Sequence, residues 1–355
     1  MAGSLAFSAS GCGGDEFTIG NGDPDAAADG GEGGGGDGGA SVPPTFLAPL
    51  ANDTLLATRA FLRLQAGTAS NGSEAVGQQI CFTTGTPDLI DEDTECPNMF
   101  ATLQTFALID PLTPGAAYLV KARTRFKDDT YSPYSPVLSF SATTLMSARY
   151  LMDGNASDTT GNGHDGSPQN GAGFGAGLVN MAAALDGTND LVTVASSPAF
   201  NFGTGDLTLS AWINPSSTGT NQAIVDKRDV ASLYEFYRRP DGRLTYSGSG
   251  CALSGSVIAQ QGKWTHALVT REKGTVRLFV NGVADGSKSC PGDVSSSGDL
   301  AFGCLSPTVP CTEPFAGAMD EIIVMGGAVG PGAVINEYCA ALVASGASSL
   351  PAVCP

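Results

Sequence analysis

Apolar residues along most of this chain repeat with period two rather than 3.6. In "YLVKARTRF", Tyr118, Val120, Ala122 and Thr124 alternate with Leu119, Lys121, Arg123 and Arg125, so one side of an extended strand is buried while the other stays wet. Residues 43–145 give an extended "PPTFLAPL" and then "RAFLRLQAG", "QQICFTT", "QTFALIDPL", "AAYLVKARTRF" and "PVLSFSATT", a spacing that predicts a small all-β sandwich. Residues 146–355 continue with "ARYLMDG", "AAALDG", "DLVTVAS", "DLTLSAWINP", "QAIVDKR", "LYEFYRR", "GRLTYSG", "KWTHALVT", "TVRLFVNGVA", "DLAFG" and "DEIIVMGG". Gly, Asn or Asp stands at nearly every junction, which predicts a two-sheet antiparallel jelly roll. Within it, the turn of "LDGTNDLVTV" (185–194) reads as a hairpin reversed by Gly187 and Asn189, and Asn281-Gly282 as another. Only the final "PGAVINEYCAALVA" has a helical period. Trp212 and Trp264 each sit in an alternating strand and read as core aromatics.

Composition changes the picture mainly at the start of the chain. Residues 13–42, "GGDEFTIGNGDPDAAADGGEGGGGDGGASVPP" with its flanks, carry no pattern and read as a disordered Gly/Asp-rich linker. The formal charge is −18, and seven of the acids lie in that linker, so the folded part is acidic too. Without clustered Lys and Arg to neutralise phosphates, nucleic acid is excluded as a partner. No apolar run approaches the roughly 18 residues of a membrane helix. Of nine cysteines, eight follow Cys12, with none in a CxxC or Cys/His metal spacing. Loop-local pairing in an oxidising compartment predicts Cys81 with Cys96, Cys251 with Cys290, Cys304 with Cys311, and Cys339 with Cys354.

Three resemblances follow from the motifs. Residues 1–12, "MAGSLAFSASGC", resemble the end of a bacterial lipoprotein signal, with "ASGC" as the lipobox and Cys12 as the lipid-bearing residue. Ala9 replaces the usual Leu and no base precedes the short apolar patch, so either the start codon lies upstream or Cys12 is an ordinary thiol. Lipidation would make the membrane a partner only through the lipid on Cys12. It implies an outer-membrane or cell-surface site, the alternative being a secreted or periplasmic protein. The segment "LTPGAAYLVKARTRF" followed by "YSPYSPVLSFSATT" resembles the last strands of a fibronectin type III domain, where Leu112, Pro114, Gly115 and Tyr118 carry the chain round a corner pinned by the tyrosine. The ordered motifs "YLMDGNASDTTGNGHDG", "AAALDGTNDLVTV", "LTLSAWINP", "GKWTHALVTREKGTVRLFVNGV" and "FAGAMDEIIV" resemble the laminin-G-like jelly roll of the concanavalin A-like lectin and glucanase group. The fold class implied is all-β: an immunoglobulin/fibronectin III-like sandwich, then a concanavalin A-like jelly roll.

The fold serves adhesion, glycan binding and hydrolysis alike, so the residues must decide. Glycosidases of this group carry two carboxylates on one strand face. Here "KRDVASLYEF" and "MDEIIV" place acids far apart or adjacent, which aims them at different strands or opposite faces. His164 and His266 have no nucleophile motif beside them, and Gly171, Gly173, Gly175 and Gly177 lack the strand-turn-helix context of a phosphate loop. No catalytic residue is assigned. The acids Asp88, Asp91, Glu92, Asp93 and Glu95 lack the spacing of an EF-hand and read as a solvated loop. The resemblance implies a structural calcium ion joining Asp320 to Asp158 or the Asn162 region; the same residues also serve as plain turn formers. Tyr234, Phe236 and Arg238, or Tyr237 and Arg239 on the opposite side of "LYEFYRRPDG", are candidate ligand contacts, because aromatic faces and guanidinium forks suit sugar rings. The expected function is non-enzymatic: a surface-tethered lipoprotein binding a glycan or the extracellular matrix, or an adhesion and scaffold module binding an extracellular or cell-surface protein.

Overall fold

The computed structural model describes residues 40–56, 58–85, 98–229, 233–305 and 311–355. Cys12, Cys96 and the acids from Asp88 to Glu95 lie outside the described residues. The first sandwich uses β1 (Thr45–Ala48), β2 (Asp53–Leu55), β3 (Ala60–Gln65), β4 (Ala75–Thr84), β5 (Asn98–Thr102), β6 (Phe106–Ile109), β7 (Ala117–Phe126) and β8 (Leu138–Ala142). A three-stranded sheet, β1-β3-β6, faces a five-stranded sheet, β2-β8-β7-β4-β5, with β2 and β8 parallel and the other pairs antiparallel. Its core is the apolar set that alternation singles out, including Leu62, Leu64, Ile80, Tyr118, Val120, Ala122 and Phe140. The phenolic oxygen of Tyr118 accepts the Thr113 N–H at 2.7 Å, closing the corner before β7.

On the outer side of β7, the segment after it folds back and interleaves with the basic side chains. Ser132 and Ser135 donate their backbone N–H groups to the carbonyls of Thr124 and Ala122, and their hydroxyls accept the N–H groups of the same two residues. That fixes Tyr131 and Tyr134 on either side of the Arg123 guanidinium, 4.2 and 4.9 Å from the ring centres, with Lys121 over Tyr134 at 4.4 Å. Cations stacked on rings, together with Tyr134 packed on Leu119 and Cys81, cover this face.

The second sandwich uses β9 (Met146–Tyr150), β10 (Gly166–Gln169), β11 (Gly173–Ala176), β12 (Met181–Asp186), β13 (Leu191–Val194), β14 (Leu207–Pro215), β15 (Gln222–Arg228), β16 (Leu233–Arg238), β17 (Arg243–Gly248), β18 (Cys251–Ile258), β19 (Thr265–Glu272), β20 (Thr275–Val280), β21 (Val283–Ser289), β22 (Leu300–Phe302) and β23 (Ala316–Met325). A seven-stranded sheet runs β10-β13-β22-β15-β16-β17-β18. The eight-stranded sheet facing it runs β11-β12-β23-β14-β19-β20-β21, with β9 on the second half of β23. Leu209, Ala211, Ile213, Ala267, Val269, Tyr234, Phe236, Leu244 and Tyr246 fill the space between them. One edge is closed by Cys251–Cys290 and by Asp285, whose carboxylate accepts the N–H groups of Ser256 and Val257 and so ties β18 to β21. Cys304–Cys311 and Cys339–Cys354 are also disulfide-bonded.

The turn in 185–194 is not a hairpin. β12 belongs to the eight-stranded sheet and β13 to the seven-stranded one, so the chain crosses between sheets. Asp186 accepts the N–H groups of Thr188 and Asn189 while Asp190 accepts that of Asp186, a compact arch with Gly187 at φ 79°. A Cβ on Gly187 would stand 2.5 Å from the Ala316 Cβ. Asn281-Gly282 does join a hairpin, β20 to β21, at φ 50° and 79°.

Helix α1 (Pro331–Ala344) lies between the two sandwiches. It is apolar nearly all round because it is buried nearly all round. Val334 meets Leu268 and Phe279 of the eight-stranded sheet, Tyr338 stacks on Trp212, and Ala333 joins the first sandwich's core. Trp212 is therefore buried under the helix rather than inside the jelly roll, and Trp264 is half-buried in the same cluster. Two polar residues of α1 are paired across the junction. The Asn336 carboxamide accepts the Phe61 N–H at 3.2 Å and donates to the Phe61 carbonyl at 2.9 Å. β1 pairs only with Arg63 to Gln65, so the side chain stands where a neighbouring strand would continue. Glu337 accepts the Thr58 hydroxyl.

Asn336→Ala would leave both Phe61 groups buried and unpaired, at about 1–3 kcal/mol for each lost partner. A loss of roughly 2–4 kcal/mol in denaturant unfolding of the whole chain is expected, and a change under about 0.5 kcal/mol would contradict this role for the carboxamide.

Candidate functional site

The outer side of the eight-stranded sheet is covered by α1 and the first sandwich. The outer side of the seven-stranded sheet is polar, and its composition follows from register. β15 and β16 pair Asp226 with Glu235 and Val225 with Phe236. β16 and β17 pair Glu235 with Ser247 and Tyr237 with Thr245, and β18 adds Ala252 and Ser254. In the other direction Asp226 is followed by Ala301, Thr193 and Ser167. Alternation sends Val225, Phe236 and Tyr246 into the core and leaves a row of small and polar side chains across all seven strands, with a second row of Tyr237, Thr245 and Ser254 beside it. The Thr245 and Ser254 hydroxyls are 2.9 Å apart.

The charged centre of this face is built around Arg228. Its Nε donates to both Asp226 oxygens at 2.8 and 3.0 Å and its terminal nitrogen to Glu235 at 3.1 Å. Burial pushes the Glu235 carboxyl up to about 7, against the opposing pull of the Arg228 charge. Glu313, from the segment after Cys311, accepts Asn221 at 2.8 Å, and its other carboxylate oxygen is buried with no partner among the described residues. Half-buried Tyr237 has its phenol raised first by burial and next by Glu235. Asp226 and Glu235 are nine apart in the chain, yet they meet because the register of β15 and β16 sets Arg228 opposite Leu233. Counting back from that pair gives their pairing.

The first-choice ligand contacts fall on the wrong side of the strand. Tyr234, Phe236 and Arg238 are buried. Tyr234 donates to the Phe200 carbonyl, and Arg238 donates to the Ala259 carbonyl and Gln222. Period two makes Tyr237 and Arg239 the outward pair instead.

The calcium donors are not assembled. Among the described residues no three His, Cys, Asp or Glu side chains converge on a cation position. One Asp158 oxygen accepts the N–H groups of Arg149 and Thr160, and the other accepts that of His164. Asn162 donates to the carbonyls of Met146 and Ser147. One Asp320 oxygen accepts the N–H groups of Leu178 and Val179, and the other is buried without a partner among the described residues. These residues hold loops to strands, so they do not fit the ion. The adjacent acids of "MDEIIV" also depart from simple alternation. A bulge at Glu321, φ 49°, lets its carboxylate reach both Arg59 and Arg149, at 2.9 and 2.8 Å. His266 pairs with Ser210 at 2.9 Å, and burial pushes it down to about 3, so it is neutral. The His164 ring packs on Phe200.

A laminin-G family model, described as the concanavalin A-like lectin/glucanases superfamily, matches residues 186–334. Similar solved structures include domain 4 of AbnA, an extracellular arabinanase from Geobacillus stearothermophilus, in complex with arabinotriose: 23% identity, TM-score 0.46, covering 54% of this chain and 97% of that one. The binding domain of Paraclostridial Mosquitocidal Protein 1 aligns at 18% identity and TM-score 0.45, covering 53% and 52%. The botulinum neurotoxin serotype G binding domain aligns at 14% and 0.45, covering 54% and 50%. The chain spans about half the length of these two toxin domains. A search of the curated proteins gave no match.

Burial holds the Asp320 carboxyl up at about 7, against the N–H groups of Val179 and Leu178. An unfolded Asp titrates near pH 4. Between about pH 4 and 7 the folded chain keeps a proton that the unfolded chain releases, so this group's contribution to stability declines as pH rises through that window. Asp320→Asn is expected to gain thermal midpoint relative to the parent on going from pH 4 to pH 8. A pH-independent difference between the two melting curves would refute the assignment.

Proposed function

We propose that the chain is a non-catalytic carbohydrate-binding protein whose ligand lies along the outer face of the seven-stranded sheet. The observation that carries this reading is the fate of the jelly roll's two outer faces: one is used up by α1 and the first sandwich, while the other presents Ser247, Ser254 and half-buried Tyr237 on adjacent strands, over a buried layer of Asp226, Glu235 and Thr245. Such a face offers hydrogen bonds to sugar hydroxyls and an aromatic ring to a sugar's apolar side. The matched family's description, which names lectins and glucanases, is in keeping with it. Hydrolysis is disfavoured by the same geometry. Asp226 is buried and its two oxygens share the Arg228 Nε, which leaves it no approach to a glycosidic bond.

In this reading the first sandwich, whose order of strands suits a fibronectin type III-like spacer, presents the jelly roll from a cell surface or outer membrane. Lipid on Cys12 and the Gly/Asp-rich segment would supply the tether. Palmitate labelling that is retained in Cys12→Ser would remove the tether from the proposal.

A polysaccharide panel tested by affinity electrophoresis with the whole oxidised chain examines the binding reading. Binding to at least one polysaccharide is expected, and Tyr237→Ala should weaken it about tenfold or more, the loss typical of an aromatic anchor. Binding unaffected by Tyr237→Ala would move the ligand off this face. No binding across the panel would turn the search to protein partners.

A further inference from the structure

We infer that the polysaccharide taken by this face is anionic, its carboxylate or sulfate groups held by Arg239 and Arg243; the inference rests on the carbohydrate-binding reading above. Arg239 continues the outward set of β16 two residues beyond Tyr237, and Arg243 opens β17 two residues before Thr245. The turn between them is closed by the Gly242 N–H on the Arg239 carbonyl at 2.9 Å and the Arg239 N–H on the Arg243 carbonyl at 2.8 Å. Ile258 stands opposite Arg243 and is 53% exposed. The rows across the sheet therefore read Tyr237–Thr245–Ser254 and, about 7 Å along β16 and β17, Arg239–Arg243, with Ile258 opposite Arg243 beyond an irregularity in β18.

Unlike the other arginines of the jelly roll, these two are held only by long ion pairs to Asp241. Arg149, Arg228, Arg238, Arg271 and Arg277 all donate side-chain hydrogen bonds. Among the described residues neither the Arg239 nor the Arg243 guanidinium donates one. Both side chains are about half-exposed, at 45% and 50%. Each lies near the same carboxylate, Asp241, at 3.7 and 4.0 Å, too far for a hydrogen bond. Asp241 accepts the backbone N–H of Arg243 instead. Two guanidinium forks converge on one carboxylate, Asp241, which an anionic group of the ligand would displace, beside an exposed aliphatic side chain and the Ser254 hydroxyl; the set matches a sugar ring carrying a planar anionic group. Neutral sugars would leave both forks to water. The carboxylates of Asp226 and Glu235 do not compete, because Arg228 is bound to both and they lie about 13 Å away along the strand.

The whole chain is tested by isothermal calorimetry against polygalacturonate, the same polymer fully methyl-esterified, dextran sulfate and unmodified dextran. Binding to polygalacturonate that falls at least tenfold on esterification assigns a carboxylate ligand. Binding to dextran sulfate but not dextran assigns a sulfate. In either case Arg239→Ala/Arg243→Ala should lose tenfold or more at an unchanged melting temperature, with Arg239→Lys/Arg243→Lys intermediate because an ammonium lacks the fork. Equal binding to charged and uncharged polymers, unaffected by the double substitution, would overturn the anionic assignment and leave the carbohydrate reading standing. Absence of binding to all four and to the wider polysaccharide panel would overturn both.

Discussion

Glu321 receives a guanidinium on each oxygen, Arg59 from just before β3 of the first sandwich and Arg149 from the first strand of the second. All three groups are nearly removed from water. Removing an ion from water costs several kcal/mol, so each of these charges is tolerable only while its partners are in place. Coulombic attraction to the two arginines holds the Glu321 carboxyl below its ordinary range in spite of its burial. The two sandwiches thus cannot separate without exposing a carboxylate and two guanidinium groups from a preformed cluster. The rest of the junction, Asn336 on Phe61, Glu337 on Thr58 and the apolar sides of α1, builds on the orientation that this bridge fixes.

That orientation decides where chemistry is available. A jelly roll standing alone has two outer faces and two sets of loops. Here the helix occupies Trp212, His266, Leu268 and Phe279 on one face, and the buried unpaired atoms of Trp212, His266 and Asp320 lie on that covered side. The open face has a different character: Arg228 neutralises its central carboxylates, Ser247 and Ser254 reach solvent, and the central ring of Tyr237 is half-exposed.

Much of the fold was legible because period two is a local property. Strand positions, the Asn281-Gly282 hairpin, the terminal helix and the Tyr118 corner all depend on residues near one another in the chain. What was not legible depends on partners. Nothing local in "LDGTNDLVTV" distinguishes a hairpin from an arch between sheets, since Asp186 and Gly187 turn the chain in either case. The β23 bulge, which brings Glu321 to Arg59 across the junction, has no signal in "MDEIIV". At the candidate site, alternation separated Tyr237 and Arg239 from Tyr234, Phe236 and Arg238, but telling which of the two sides faces outward needed the identity of the buried side. The Asp226–Arg228–Glu235 centre needed strand register as well.

The C-terminal residues give the molecule a defined load path. After α1 the chain turns back, Cys354 bonds to Cys339, and Leu350 and Val353 pack with Ala48, Phe106 and Leu108 near the start of the described chain. The last residues are therefore stapled to α1, in an apolar cluster that it shares with the first sandwich. Tension applied at the beginning of the chain and resisted by something held on the seven-stranded sheet would not unzip that sheet strand by strand. It would load the helix and the Arg59–Glu321–Arg149 bridge in shear, where many contacts must yield together.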